Sequence, residues 1–407
     1  MSTSPVDLSR RREDFPALQR THDGRPLAYL DGPAGTQVPL HVIGALTRYY
    51  ATCNANTHGT FVTSVESDRL LEEARAVAAT FLGAQGGHTI SFGANMTTLT
   101  YSLSRAIARS LRPGDEVVIT ELDHEANRGP WLTLEEHGIR VREIALLRDG
   151  TLDYDDFRAK VGAKTRLVAM GLASNALGTV NDVALARELS RRAGAWLMVD
   201  AVHYAPHFSV DVSAMDVDFL VCSAYKFYGP HVGLLYAKEG LLDRLQTDRL
   251  VTQDPEAPYR IETGTLNHAA IMGVKAAIEY IASLGEGQAL RHRLVSALER
   301  IGAHERDLAS RLHRELGRIN GVTLYGPSFE VPRRAPTVSF TVKGRTATEV
   351  CARLAEMGIC TWDGHFYALR AIEKLGLLEN GGVTRVGIAL YNTDEEVERL
   401  LNVVRLL

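Results

Sequence analysis

Lys226 is the residue of this chain whose position most directly indicates chemistry. It follows a short apolar strand at residues 217–221 and precedes a Gly-Pro turn and a second apolar strand at residues 232–236. An amine held at the edge of a core loses its proton more readily than a solvated amine, and the neutral amine forms a Schiff base with an aldehyde. The alternative is a lysine that extends from the strand end into solvent. The residues around Lys226 decide between the two interpretations.

Asp200 ends the apolar strand WLMVD, one strand before Lys226 in the chain. Ligands of an open parallel sheet bind beyond the carboxyl ends of its strands, so both side chains are predicted to face one crevice. A carboxylate there keeps a pyridine nitrogen protonated, and a Schiff-base lysine paired with an aspartate is the combination that pyridoxal phosphate requires. Taken alone, Asp200 is also explained as a helix cap or turn residue.

The segment SFGANMTTLTYSL predicts a strand, a turn of small residues at Gly93-Ala94-Asn95, and a helix. The first N–H groups of a helix bind anions, so this segment is a candidate site for the phosphate, and Ser223 is a candidate to add its hydroxyl. Small residues also serve any tight turn. The segment therefore supports the cofactor prediction without proving it.

Polar residues follow other predicted strands in the same way. His124 is placed to stack on the cofactor ring, and Asn175 and His203 are candidates to contact its phenolic oxygen. Arg385, at the start of the predicted strand RVGIALYN, is a candidate to bind a substrate carboxylate in a two-pronged pair. The alternatives are a hydrogen-bonded polar histidine for His124 and a surface salt bridge for Arg385.

The pattern of elements predicts an α/β fold. From about residue 65, amphipathic helices alternate with short apolar strands, which is typical of a mostly parallel, doubly wound sheet. Near residue 285 a long charged helix begins, and the strands after it indicate a smaller α+β domain. We therefore predict an N-terminal arm at residues 1–30 that packs on the body, a large cofactor-binding domain at 31–285 and a small C-terminal domain at 286–407.

Composition excludes several classes of function. The 407 residues are 45% hydrophobic and 23% charged, with a net charge of -4, which offers no basic field for nucleic acid. No apolar run is long enough to span a membrane and the first residues do not resemble a signal peptide, so we predict a cytoplasmic protein without membrane contact. The four cysteines form no CxxC pair, so neither a disulfide framework nor a metal site is predicted. The chain also has no GxGxxG or GKS/T nucleotide motif.

The order of motifs resembles the class V aminotransferase family of pyridoxal phosphate enzymes, in its cysteine desulfurase-like branch. The resemblance runs from about residue 28 to about residue 400. The motifs that carry it are LDGPAG, NANTHGT, GANM, DHEAN, SNALGT, VDAVH, SAYKFYGPHVG, ETGTLN and RVGIALYNT. The resemblance implies pyridoxal 5'-phosphate as cofactor, and a fold type I transferase with a large, mostly parallel-sheet domain and a smaller α+β domain.

The resemblance also implies roles for individual residues. Lys226 matches the lysine that binds the cofactor covalently, Asp200 matches the partner of the ring nitrogen, and His124 matches the histidine stacked on the ring. Asn175 and His203 match contacts to the phenolic oxygen, where the family usually has Gln at the second position. The positions that match phosphate-binding residues are Ala94, Asn95, Ser223, Tyr225 and, reaching the neighbouring subunit, Thr265. A homodimer with shared sites is therefore implied.

The substrate side departs from the family pattern. In GICTWDGHFYALRAIEKLG, Tyr367 stands where cysteine desulfurases carry the cysteine that accepts sulfur, and a phenol cannot form a persulfide. Cys360 is close by but belongs to a predicted strand. Gly59 replaces an arginine after His58. The residues that match the substrate pocket are Asn56, His58, Tyr367 and Arg385.

These features favour a pyridoxal phosphate enzyme in which Lys226 removes the α-proton of an amino acid. Beta-elimination that breaks a carbon–sulfur bond needs no cysteine and fits Tyr367, which would act as an acid or line the pocket. The alternatives are true desulfuration with sulfur transfer, and epimerisation or transamination. A catalytically silent scaffold is the non-enzyme alternative, but it would need neither Lys226 nor Asp200.

Overall fold

The computed structural model of the protein describes residues 8–407, without the side chain of Ser9. Its strands are β1 Thr21–His22, β2 Arg25–Pro26, β3 Ala28–Tyr29, β4 Ile90–Gly93, β5 Glu116–Thr120, β6 Arg140–Ile144, β7 Thr165–Gly171, β8 Trp196–Asp200, β9 Phe219–Ser223, β10 Gly233–Ala237, β11 Val322–Tyr325, β12 Thr337–Val342, β13 Ile359–Cys360, β14 Trp362–Gly364 and β15 Val383–Gly387. Its α-helices are α1 Leu40–Thr52, α2 Val62–Leu82, α3 Met96–Ala108, α4 Gly129–Leu132, α5 Tyr154–Lys160, α6 Val183–Ala193, α7 Val212–Met215, α8 Leu241–Arg244, α9 His268–Ser283, α10 Leu290–Leu316, α11 Ala347–Glu356, α12 Leu369–Lys374 and α13 Asp394–Val404.

A seven-stranded sheet forms the centre of the molecule. Its strand order is β4-β10-β9-β8-β7-β5-β6; β10 runs antiparallel to both neighbours and the remaining pairs are parallel. The strands are mostly apolar because helices cover both faces of the sheet; the edge strand β6, with two arginines and a glutamate, is the exception. The prediction of an α/β fold with a mostly parallel sheet is confirmed. The carboxyl ends of β5, β7, β8 and β9 meet at one edge.

The helices begin and end where local chemistry requires it. At the start of α6, the Asp182 side chain accepts hydrogen bonds from the N–H groups of Ala184 and Leu185, both at 3.0 Å. At its end, Gly194 adopts a left-handed φ of 67°, a conformation that favours glycine. The amphipathic helix is thereby fixed between β7 and β8, whose carboxyl ends carry polar residues of the crevice.

A second, antiparallel sheet has the order β11-β12-β15-β14. It packs with α10, α11 and α13 around a separate apolar core that includes Leu312, Phe340 and Leu400. The predicted strand RVGIALYN is too long at its end, because β15 stops at Gly387. A turn follows, in which the Ala389 N–H donates to Asn392 Oδ1 at 2.8 Å. Because β15 begins at Val383, Arg385 lies inside the strand rather than at its start.

The described part of the N-terminal segment contacts both cores. Phe15 is fully buried, and β3 pairs in parallel with β13 beside the second sheet. The rings around Phe15 are those of Tyr228, Tyr280 and Tyr391, with centroids 5.0–5.9 Å away. The domain boundaries near residues 30 and 285 stay a prediction, and residues 1–7 of the predicted arm lie outside the described residues. Within residues 8–407, no helix is both long and apolar enough to cross a membrane.

Candidate active site

A cavity at the carboxyl ends of β5, β7, β8 and β9 collects most of the predicted cofactor residues. The predicted residues that line it are Asn95, His124, Asn175, Asp200, His203, Ser223, Tyr225 and Lys226. The lining residues that sequence reasoning did not single out include Thr97, Asp123, Ser174 and Asn181. Side chains far apart in sequence meet here because parallel strands place their carboxyl ends on one edge.

Lys226 lies in a turn of 3₁₀ helix directly after β9, with 8% of its surface exposed. Its Nζ donates hydrogen bonds to the carbonyl oxygens of Pro33 and, at 3.0 Å, Ala34. Burial, together with the positive charge of Arg385, lowers the pKa of Lys226 to about 7. The side chain does not extend into solvent. A large fraction of this amine is therefore neutral near pH 7, as a nucleophile or base must be.

Asp200 ends β8 with its carboxylate at the cavity. Its Oδ1 accepts a hydrogen bond from the Val202 N–H at 2.8 Å, and within residues 8–407 the second oxygen accepts none. Burial raises the pKa of Asp200 to about 6, while the Val202 N–H and Lys226 act in the opposite direction. A desolvated carboxylate with one free oxygen is suited to accept a hydrogen bond from a protonated ring nitrogen.

The turn before α3 brings backbone N–H groups to the cavity. The Asn95 side chain caps α3 by accepting from the Thr98 N–H at 2.9 Å, and the Met96 N–H donates to Ser223 Oγ at 3.2 Å. Gly233 packs against this turn so closely that an added Cβ would lie 2.4 Å from the Asn95 carbonyl carbon. Ala94 lies outside the cavity, in an adjoining groove with His231.

The group implied by the resemblance fits this set of donors and acceptors. Lys226 supplies an amine for the aldehyde of pyridoxal phosphate, Asp200 an acceptor for the ring nitrogen, and the start of α3 with Ser223 donors for the phosphate. Tyr225 stacks on His231 with ring centroids 4.7 Å apart, at the same end of the cavity as Ser223. The individual roles of these residues stay predictions.

His124 is held as a neutral imidazole. Its Nδ1 accepts a hydrogen bond from the Ala126 N–H at 3.0 Å, which places the proton of the neutral ring on Nε2. Burial, reinforced by the positive charges of Lys226 and Arg385, lowers the pKa of His124 to about 4. Its ring can therefore stack on an aromatic cofactor and donate one hydrogen bond from Nε2.

The two residues predicted to contact the phenolic oxygen already have other partners. Asn175 Nδ2 donates to the Phe366 carbonyl oxygen at 2.8 Å. His203 Nε2 lies 2.8 Å from Thr337 Oγ1, so this bond connects the end of β8 to β12. Both side chains border the cavity, and their contacts with a cofactor stay predictions.

Asp123 is a cavity residue that the sequence reasoning missed. Its Oδ1 accepts from the Gly171 N–H at 2.8 Å and its Oδ2 from Asn127 Nδ2 at 3.1 Å. Burial raises its pKa to about 7, and the negative charge of Asp200 acts in the same direction. Its position just after a strand, like that of Asp200, was the signal that could have identified it.

Arg385 does not line the cavity. Its Nη2 pairs with Asp31 Oδ1 at 3.0 Å, its Nη1 donates to the Asn175 carbonyl oxygen at 3.2 Å, and its guanidinium lies 4.1 Å from the ring centroid of Phe366. Only 2% of Arg385 is exposed, so the alternative of a surface salt bridge is wrong. The buried pair with Asp31 was not predicted.

Residues 365–368, here called the cover loop, lie beside the cavity. The Glu125 N–H donates to the Tyr367 carbonyl oxygen at 2.7 Å, and the ring of Tyr367 lies 5.5 Å from that of His124. The Tyr367 side chain is 63% exposed. The cover loop thus presents aromatic side chains next to the cavity.

None of the four cysteines lines the cavity, and all of them lie within the described residues. Cys53, Cys222 and Cys351 are buried, and Cys360 is half-buried in β13 as predicted. Burial raises the pKa of the thiols of Cys222, Cys351 and Cys360. These three thiols are therefore not activated as thiolates.

Asn56, His58 and Thr265 are not near Lys226 in the same chain. They line a separate surface cavity together with Asp68, whose Oδ1 lies 3.7 Å from His58 Nδ1. Thr265 also borders the groove that contains Ala94. The contacts of these three residues with substrate and phosphate stay predictions.

Comparison with known proteins gives a consistent result. The family model described as aminotransferase class-V matches residues 28–400. A cysteine desulfurase of Salmonella dublin is 35% identical, over 98% of this chain and 97% of its own length. The apo cysteine desulfurase of Thermococcus onnurineus NA1 superposes with a TM-score of 0.89 at 29% identity, covering 100% of this chain and 98% of its own. The cysteine desulfurase CsdA of Escherichia coli gives 0.85 at 27% identity, covering 98% of each chain.

Proposed function

The chain belongs to the class V aminotransferase family of pyridoxal phosphate enzymes, and we propose that within this family it cleaves the carbon–sulfur bond of cysteine or a cysteine-derived amino acid by beta-elimination. Its cysteine desulfurase-like fold and cofactor support a reaction at the amine, α-carbon and β-carbon of an amino acid. The chain's own side chains then favour one outcome over the others.

Lys226 is the proposed base. Bound pyridoxal phosphate supplies the electron sink that makes the α-proton of the substrate acidic. The lowered pKa of Lys226, about 7, leaves much of its amine free to take that proton near neutral pH. Asp200 would keep the ring nitrogen of the bound cofactor protonated, and the neutral His124 would pack beside that ring.

The observation that carries the proposal is the absence of a thiol at the cavity. Sulfur transfer to the enzyme needs a thiolate within reach of the substrate sulfur. No cysteine lines the cavity, and the cover loop presents Phe366 and Tyr367. Elimination needs no acceptor, since the sulfur leaves as a thiol.

The proposed reaction balances without an oxidant. Lys226 removes the α-proton, the Cβ–S bond breaks with its electron pair on sulfur, and the sulfur leaves after taking a proton. The released aminoacrylate reacts with one water to give pyruvate and ammonia. The ammonium that Lys226 forms on taking the α-proton is the candidate proton donor to sulfur. The Nε2–H of His124, whose proton is fixed by the bond from Ala126, can donate a hydrogen bond to the leaving sulfur. The hydroxyl of Tyr367 is less suited, since its side chain is 63% exposed.

Arg385 is the proposed anchor for the substrate carboxylate. Asn175 connects it to the cavity, because its carbonyl accepts from Arg385 while its side chain lines the cavity. Among residues 8–407, Arg385 Nε is buried and has no hydrogen-bond partner. This N–H remains available for a carboxylate oxygen.

We also propose a homodimer that acts in the cytoplasm. Asn56, His58 and Thr265 border a surface cavity away from Lys226, which supports their serving the cavity of a second subunit. Apolar side chains exposed on the α1 and α2 side of the molecule support such an interface; they are Leu40, Ile43, Tyr50, Phe61, Val62 and Val65. The cytoplasmic location rests on composition alone.

The experiment offers S-methyl-L-cysteine to the purified holoenzyme and measures methanethiol, pyruvate and ammonia. We expect equal amounts of all three. Lys226→Ala is expected to form none of them and to lose the visible absorbance of the bound cofactor. Cys360→Ser should behave as the parent protein does, because that thiol is not needed.

Two results would oppose the proposal. A Cys360→Ser protein that no longer releases sulfur from L-cysteine, while keeping the cofactor absorbance, would favour true desulfuration, the activity named for the relatives. Racemised or deaminated amino acid without sulfur release would instead favour epimerisation or transamination.

A further inference from the structure

The guanidinium of Arg385 is enclosed beside the cavity rather than open to it. The ring of Phe366 covers it at 4.1 Å, and Asp31 and the Asn175 carbonyl take its Nη2 and Nη1. Its Nε is buried and unpartnered within the described residues. A buried N–H without a partner is unfavourable, so a ligand that reaches it gains a hydrogen bond. The covering ring belongs to a side chain that is only 8% exposed.

The backbone that carries this ring is strained. Phe366 and Tyr367 adopt left-handed φ values of 54° and 59°, which bulky side chains rarely take. Two hydrogen bonds hold the strained pair against the body: Asn175 Nδ2 to the Phe366 carbonyl and the Glu125 N–H to the Tyr367 carbonyl. Strain of this kind persists only while surrounding contacts over-determine the conformation. A ligand that competes for either bond therefore removes part of what holds the strained conformation.

Asn175 joins these two features. Its carbonyl holds Arg385, its side chain holds Phe366, and it lines the cavity. A substrate that takes the Asn175 amide as a donor therefore frees the Phe366 carbonyl. The same ligand, if it carries a carboxylate, offers Arg385 an ion pair in place of the aromatic ring, and an ion pair with hydrogen bonds is the stronger contact.

We propose that Phe366 is a determinant of substrate binding, which shields Arg385 until an α-carboxylate displaces it. The proposal rests on the carboxylate-binding role proposed above for Arg385. The shield raises the dissociation constant of every carboxylate ligand by the same factor. An amino acid offsets this through its amine, which is bound at the Lys226 end of the cavity, whereas the aminoacrylate product, once its amine is no longer bound there, has the carboxylate contact alone. The ring thus favours release of aminoacrylate after elimination.

The test compares L-alanine with L-alaninamide by isothermal titration calorimetry on the holoenzyme. Alanine has no leaving group at its β-carbon, and alaninamide has no carboxylate. Phe366→Ala is expected to bind alanine about three- to thirtyfold more tightly, the range from an exposed to a desolvated cation–π contact, and to bind alaninamide as the parent protein does. Phe329→Ala is the matched control and should change neither, because it removes a ring that lies 4.2 Å from another buried guanidinium, that of Arg334, and neither residue lines the cavity.

Phe366→Leu keeps an apolar cover without a π face, so it should strengthen the binding of L-alanine less than Phe366→Ala does. It also serves as the test variant if Phe366→Ala fails to fold. Unchanged or weaker alanine binding in both variants, or equal tightening of alanine and alaninamide, would overturn the proposal. Arg385→Gln distinguishes a failure of the Phe366 shield from a failure of the proposed carboxylate-binding role of Arg385. If it leaves the ratio of the two affinities unaltered, the carboxylate role of Arg385 is wrong. If the ratio collapses and the Phe366 variants behave as the parent, only the shield is wrong.

Discussion

Burial of Lys226 has a consequence for stability that can be measured without any substrate. The amine has a pKa of 10.5 in the unfolded chain and about 7 in the folded one. Between these values the unfolded chain binds one more proton, so the stability of the cofactor-free protein rises with pH through this group. This difference between the two pKa values corresponds to about 4.5 kcal/mol of unfavourable folding free energy at pH 6 to 7, and to about 2 kcal/mol at pH 9.

Lys226→Met removes this contribution. It also leaves the carbonyls of Pro33 and Ala34 without their donor, which costs about 1–3 kcal/mol each and offsets much of the gain at neutral pH. The free-energy cost of losing these hydrogen bonds does not depend on pH, whereas the free-energy cost of burying the amine does. The stability of the variant relative to the parent protein should therefore fall by about 2.5 kcal/mol between pH 6 and pH 9.

The assay is urea unfolding of both cofactor-free proteins at one protein concentration, followed by circular dichroism at several pH values. Groups common to both proteins cancel in the difference. Lys238→Met is the matched control, because that side chain is about half exposed and pairs with Asp216 at 2.8 Å; its difference from the parent should stay flat. If the difference in free energy of unfolding between Lys226→Met and the parent protein also did not change with pH, the claim that the Lys226 amine is desolvated would be refuted.

Three further substitutions test other parts of the account. Asp200→Asn should retain bound cofactor by visible absorbance but lose roughly 10²-fold in turnover, because a neutral amide does not hold the ring nitrogen protonated; unchanged turnover would contradict this. Tyr367→Phe should keep sulfide release, whereas loss of a general acid would cost about 10²-fold or more. Arg75→Met removes the cation that lies 2.6 Å from buried Glu262 in the parent protein. The free energy of unfolding measured in urea should fall by about 3–5 kcal/mol; a loss below 1 kcal/mol would show that the pair is not desolvated.

The central part of the site was predictable because it follows from one rule of sheet architecture. Asp200 ends an apolar strand, and His124, Asn175 and Lys226 each follow one. Parallel strands bring such positions to one edge of the sheet. The same rule applied to Asp123 would have added it. The helix start at Asn95 was predictable from its small-residue turn.

The substrate side was less predictable because its contacts join distant segments. Asp31 and Arg385 are 354 residues apart, and Asn175 and Phe366 are 191 apart. Nothing in the local pattern near Arg385 signals a buried ion pair or an aromatic cover. The sequence pattern predicts Arg385 at the start of a strand, whereas β15 begins two residues earlier, at Val383.

The central claim is that sulfur leaves this enzyme without passing through a protein thiol. The most direct measurement is the ratio of pyruvate to alanine formed from L-cysteine by the purified holoenzyme, quantified by mass spectrometry in the absence of added thiol. Beta-elimination predicts pyruvate equal to the sulfide released, with no alanine. Alanine as the main product, with an extra sulfur on the intact protein, would contradict the account.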